Sequence, residues 1–114
     1  MPSHSEPALV PLRGEVWLCA VPVAGPHPVL ILTVNRIAAP LTALTVALIT
    51  GSRGPSETHV WIGPDAGLLK YDESFVNCTD IHTVDKLRLR RRLGRLSHEE
   101  MAAVEARLRL TLGL

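Results

Sequence analysis

Between Arg13 and Cys78 the chain never runs far without a glycine or proline, and the segments those breakers leave are short and apolar. Such spacing rules out long helices and leaves strands to bury the apolar side chains. RGEVWLCAV alternates Val16, Leu18 and Ala20 with Glu15, Trp17 and Cys19, the period of two that marks a first strand. After the turn-forming VAGPHP, His27 stands directly before a proline, which pushes it extended and puts it at the start of a second strand, PVLILTV. That run is β-branched and reads as buried on both faces. LTALTVALIT is a third strand that delivers Thr50 to the mouth of the loop GSRGPS; ETHVWIG is a fourth, and SFVNC, after a loop, a short fifth. Leu87 to Leu96 reads as a last strand, with Lys86, Arg88, Arg90 and Arg92 on one face, Leu87, Leu89 and Leu93 on the other, and Arg91 on the apolar side.

A helix start follows. Ser97 as cap and Glu100 three residues later form a capping box, with Leu96 and Met101 placed to staple it. Met101, Val104, Leu108 and Leu112 make an apolar stripe for packing on the sheet, and Glu105 with Arg109 an exposed i,i+4 pair. Many short strands before one helix predict a mainly β (α+β) fold, an SH3-like small antiparallel β-barrel with a C-terminal α-helix. At 114 residues the chain suits one core. Residues 1–12 are expected to be a flexible tail and 13–114 a single barrel domain.

The stretch Val16–Asn35 carries no Asp, Glu, Lys or Arg, yet Pro22, Gly25, Pro26 and Pro28 break any spanning helix, so no membrane role is expected. MPSHSEPALVPL lacks a basic start and a continuous apolar run, which makes the cytoplasm the expected location. Two cysteines, Cys19 and Cys78, cannot alone complete a four-ligand zinc site and read as buried thiols. Six of the twelve basic residues (Lys86, Arg88, Arg90, Arg91, Arg92 and Arg95) crowd between positions 86 and 95. Such a run holds a polyanion or simply solvates a strand face.

No phosphate-binding glycine loop, dinucleotide fingerprint, zinc spacing or nucleophile elbow is present, so no metal and no cofactor is expected. Polar groups at strand ends and loop mouths remain: His27, Asn35, Thr50, Ser52 and Arg53. RNA can break its own backbone once its 2′-hydroxyl is deprotonated and the charge on phosphorus is stabilised. A protein must supply a proton carrier, donors for the phosphate oxygens and a surface that splays the strand. An imidazole, titrating at about 6.5 in the absence of perturbation, suits the first need and points to His27. Arg53 suits the second, helped by the Thr50 hydroxyl and loop amides. Trp17 and Trp61 could stack on bases or fill the core.

Taken in order, RGEVW, HPVLILT, VALITGSRGPSE, SFVNCTDIHTVDKLRL, RRLGRLS and a final LGL resemble the MazF/PemK toxins of type II toxin–antitoxin systems, mycobacterial-type MazF in particular, over about Arg13 to Leu114. The resemblance implies a dimeric, metal-independent endoribonuclease that leaves a 2′,3′-cyclic phosphate and a 5′-hydroxyl. It also implies a partner antitoxin whose disordered acidic segment threads over the active groove, with Leu68, Leu69 and Tyr71 as candidate contacts. In that family catalysis rests on an arginine directly before the proline of the second strand and a threonine closing the third. The second position matches Thr50; the first holds His27 here, after a shortened loop. Arginine is a permanent forked cation and histidine a titrating one. His27 is therefore expected to move the proton while Arg53 supplies phosphate charge. The site expected is catalytic His27 and Thr50, with Arg53, Ser52, Asn35 and Trp17 binding substrate. Two other readings are a gyrase-targeting toxin on the same barrel, whose C-terminal Trp-Gly ending is absent from LTLGL, and a non-catalytic RNA-binding barrel.

Overall fold

The computed structural model describes residues 10–21, 25–68 and 73–114. Most of the expected tail, residues 22–24 of the expected turn, Leu69 and Tyr71 lie outside them. The elements run β1 (Glu15–Val21), β2 (Gly25–Ile31), a single-turn helix α1 (Asn35–Ala38), β3 (Ala43–Thr50), β4 (His59–Ile62), β5 (Ser74–Asp85), β6 (Leu89–Arg95) and α2 (His98–Leu112). Short 3-10 turns at Pro64–Ala66 and Lys86–Arg88 precede β5 and β6. Among the described residues no helix is long and apolar enough to cross a membrane.

Among the described residues all strand pairings are antiparallel, in one six-stranded sheet ordered β4-β5-β3-β2-β1-β6. Both faces of its centre are buried. Val16, Leu30, Ala47, Ile49, Val60 and Val76 pack with Val104 of α2, while Trp17, Cys19, Val29, Ile31, Val46 and Leu48 pack on the opposite face with Ala38 of α1. Strand two is apolar on both sides because it feeds both layers, as its sequence predicts.

The curled sheet has the expected SH3-like, barrel-like form, but no hydrogen-bonded ladder joins the edge strands β4 and β6. The turn Pro64–Ala66, which follows β4, instead lies against β6. A Cβ on Gly67 would collide with the Leu93 carbonyl, and one on Gly94 with the backbone of Asp65 and Ala66. Gly67 also has φ of 75°, which favours glycine. Close backbone packing does here what a ladder would do in a closed barrel.

The helix start is as its sequence reads: Ser97 Oγ accepts from Glu100 N and Glu100 Oε1 accepts from Ser97 N. The other Glu100 oxygen accepts from Gly63 N at 2.6 Å, tying α2 to the end of β4. Two details of the helix differ. Glu105 pairs with Arg13 at 2.7 Å rather than with Arg109, and the apolar stripe ends early, since Leu112 is exposed.

Strand five runs to Asp85, well past SFVNC, because Ile81 to Asp85 pair with β3 beyond a register shift between Ala47 and Ile49. The last strand starts at Leu89 rather than Leu87. Asp85 caps the 3-10 turn by accepting from Leu87 N, and Leu87 is 83% exposed. Register shifts against β1 then break the simple alternation, so that Arg91 stands opposite Leu18 and Arg92 opposite Trp17.

Candidate active site

His27 lies at the start of β2 and pairs with Cys19 of β1. The β2–β3 ladder ends with Val29 opposite Leu48, and beyond it His27 reaches β3 through its side chain, at the Ile49 carbonyl next to Thr50, the last residue of that strand. Thr50 pairs with Phe75 of β5, and Phe75 with Trp61 of β4. Directly opposed residues share a sheet face. One cross-strand row therefore reads Trp61, Phe75, Thr50 by register, and is extended by His27, which bonds to Ile49, and its partner Cys19.

The imidazole is held by its own sheet. His27 Nε2 lies 2.9 Å from the Ile49 carbonyl oxygen. A carbonyl only accepts, so Nε2 carries the hydrogen, and Nδ1, which has no partner among the described residues, presents its lone pair. The Thr50 hydroxyl is also oriented: its oxygen accepts from Ser52 N at 3.1 Å. Its own hydrogen is thereby left to donate to an incoming oxygen.

Arg53 projects from the following loop over this row. Its guanidinium stands 5.4 Å from the centroid of the Phe75 ring, a cation–π geometry, and Nη2 donates to both carboxylate oxygens of Glu73 at 3.1 Å. The loop is anchored from behind. Arg107 Nε donates to Ser56 O, Thr58 N to Pro55 O, and Cys78 N to Thr58 O. His27, Thr50, Ser52 and Arg53 thus come together, and the site gains two residues that the sequence reading passed over, Glu73 and Phe75.

Two of the expected binding residues lie elsewhere. Trp17 is 5% exposed inside the second core, with Nε1 donating to Glu15 Oε1 at 3.1 Å, so its ring cannot reach a base. Asn35 follows the far end of β2 from His27, where its side chain accepts from Arg13 N and borders a groove beside the start of α2. The exposed indole of the cross-strand row is Trp61, 56% exposed.

The cationic run is divided. Lys86 Nζ donates to the carbonyls of Ala38 and Ala39, and Arg92 reaches the buried Glu15 at 3.2 Å. Arg90, Arg91 and Arg95 have no carboxylate partner among the described residues. Arg91 and Arg92 border a hollow of about 340 Å3 with Leu18, Pro28, Leu68 and Leu93. Both thiols are buried; burial pushes Cys19 up against the opposing pull of Arg88 and Arg90, and pushes Cys78 up to about 11. A protonated, enclosed thiol is a poor nucleophile.

A family model of PemK-like, MazF-like toxins of type II toxin–antitoxin systems matches residues 12–112. A probable endoribonuclease MazF2 of Mycobacterium tuberculosis is 32% identical over 101 residues, 89% of this chain and 97% of that protein. A solved mycobacterial endoribonuclease in complex with its cognate antitoxin superposes with a TM-score of 0.83 at 30% identity, covering 92% of this chain and 97% of that one. The fold extends to a MazE–MazF structure from Deinococcus radiodurans, with a TM-score of 0.78 at 17% identity over 93% of this chain and 99% of that one.

Proposed function

The chain belongs to the PemK-like, MazF-like toxin family of type II toxin–antitoxin systems and, like its mycobacterial relatives, is an endoribonuclease; we propose that it cuts single-stranded RNA without a metal, by attack of a 2′-hydroxyl on the adjacent phosphate. The observation that carries this reading is the junction of β2 and β3, where an imidazole with its Nδ1 lone pair open stands next to a hydroxyl with its hydrogen open.

His27 Nδ1 takes the proton of the ribose 2′-hydroxyl as the 2′-oxygen bonds to phosphorus. The bond from phosphorus to the 5′-oxygen breaks, and that oxygen leaves with a proton returned by the imidazolium or by water. The products are a 2′,3′-cyclic phosphate and a 5′-hydroxyl. The Thr50 hydroxyl and Ser52 donate to the phosphate oxygens, and Arg53 adds a fixed positive charge. Nε2, bonded to Ile49, keeps the ring from turning and so keeps Nδ1 as the working nitrogen.

The partner is a cognate antitoxin, whose disordered acidic segment would occupy the same cations and so exclude RNA. The working unit is proposed to be a homodimer and its compartment the cytoplasm. The test is to incubate the purified protein with mixed single-stranded RNA in excess EDTA and to map the new termini. Defined cuts with 5′-hydroxyl and cyclic-phosphate ends are expected. Salt-sensitive binding with no product would overturn the nuclease and leave a non-catalytic RNA-binding barrel.

A further inference from the structure

Of the residues in the cross-strand row to which the proposed chemistry gives no task, Trp61 is exposed while Phe75 and Cys19 are buried. It is 56% exposed although its strand neighbours Val60 and Ile62 are buried in the core. We propose that Trp61 is a stacking platform for a nucleobase flanking the cleaved bond, an inference that rests on reading the row as an RNA groove.

Three observations support it. Trp61 lies on β4, two strands from Thr50, so two interstrand spacings put its backbone about 10 Å from the catalytic threonine. Between them, Arg53 covers Phe75, which gives the sequence indole, cation, hydroxyl, imidazole along one line. That order suits a polymer alternating flat rings with anionic phosphates, as single-stranded nucleic acid does. The indole also has room above it: with Gly63, Pro64, Leu68, Glu73 and Ser74 it borders a hollow of about 150 Å3.

The platform is rigid. Val60 and Ile62 are fixed in the core and Gly63 N is held by Glu100, so β4 cannot swing when a base arrives. A base bound there gives up its own freedom without also having to order the strand beneath it. Stacking engages any π-face, so this contact sets the path of the strand more than the identity of the base.

Trp17 is enclosed, so a change in tryptophan emission on ligand binding reports Trp61. A single-stranded oligonucleotide made uncleavable by 2′-deoxyribose should quench the wild-type emission and leave that of Trp61→Ala unchanged. With cleavable RNA, kcat/KM should fall about 5- to 150-fold in Trp61→Ala and return in Trp61→Phe. An abasic nucleotide at the flanking position should impair the wild type by a similar factor and Trp61→Ala little further. Thermal midpoints confirm that both variants fold. Quenching by the uncleavable strand without any cleavage of RNA would refute the nuclease but support the platform. Cleavage indifferent to both Trp61→Ala and the abasic site would refute the platform and leave the nuclease. Quenching by poly-glutamate but not by the oligonucleotide would assign the indole to an acidic protein partner and overturn the proposal.

Discussion

In the structure a carboxylate occupies the place proposed for phosphate, which makes Glu73→Gln an informative substitution. Arg53 and Glu73 are joined through one nitrogen and two oxygens at 3.1 Å, with side chains 71% and 48% exposed. At that exposure solvent screens the pair, and it is worth about 0.2–1 kcal/mol. An RNA phosphate must displace the carboxylate, so this amount opposes binding. Glutamine keeps the shape and removes the charge, and affinity for an uncleavable single strand should tighten about 1.4- to 5-fold. Fluorescence anisotropy measures this at about 50 mM salt, and the gain should narrow at about 200 mM as screening grows. Repeating the substitution in an Arg53→Ala background closes a double-mutant cycle, in which most of the gain should vanish. Weaker binding by Glu73→Gln, or an equal gain without Arg53, would refute the assignment of Arg53 to the phosphate.

Further outcomes follow from the packing. Gly94→Ala places a methyl group against the backbone of Asp65 and Ala66; chemical denaturation should show a loss of about 1–3 kcal/mol. Ser97→Ala should cost about 0.5–2 kcal/mol by the same measurement. Glu100→Ala should cost more, because that side chain also accepts from Gly63 N. Burial raises the Cys78 thiol from 9.0 to about 11, so stability is whole below pH 9.0 and falls as pH climbs toward 11, where only the unfolded chain releases the proton. Thermal midpoints of the wild type and Cys78→Ala should therefore converge or cross over that window, and parallel curves would contradict the burial argument.

The features legible in the sequence were those set by local chemistry. Ser97 and Glu100 form their capping box because both partners lie within one turn. His27 and Thr50 stand at strand ends because proline and glycine fix where those strands begin and stop. The misplaced features depend on partners distant in sequence. Trp17 and Trp61 are equally aromatic, and only the curl of the sheet decides that the first is enclosed and the second exposed. The alternation of β6 failed because two register shifts against β1 change which residues face which side, and pairing register cannot be read from one strand. Glu73 looks like an ordinary loop acid until β5 brings it beside a guanidinium 20 positions earlier. Likewise the charge cluster reads as one feature along the chain, whereas Lys86 is committed to Ala38 and Arg92 to Glu15, and Arg90, Arg91 and Arg95 have no carboxylate partner among the described residues.

The account stands on His27 as the group that moves the proton, and a single-turnover comparison of wild type with His27→Gln in excess EDTA tests it most directly. Glutamine retains an N–H for the Ile49 carbonyl but cannot exchange a proton near neutral pH. The cleavage rate should fall about 10²- to 10⁴-fold with the thermal midpoint preserved. A variant that folds and cuts within about twofold of the wild-type rate would show that the proton travels by another route, and would contradict the mechanism.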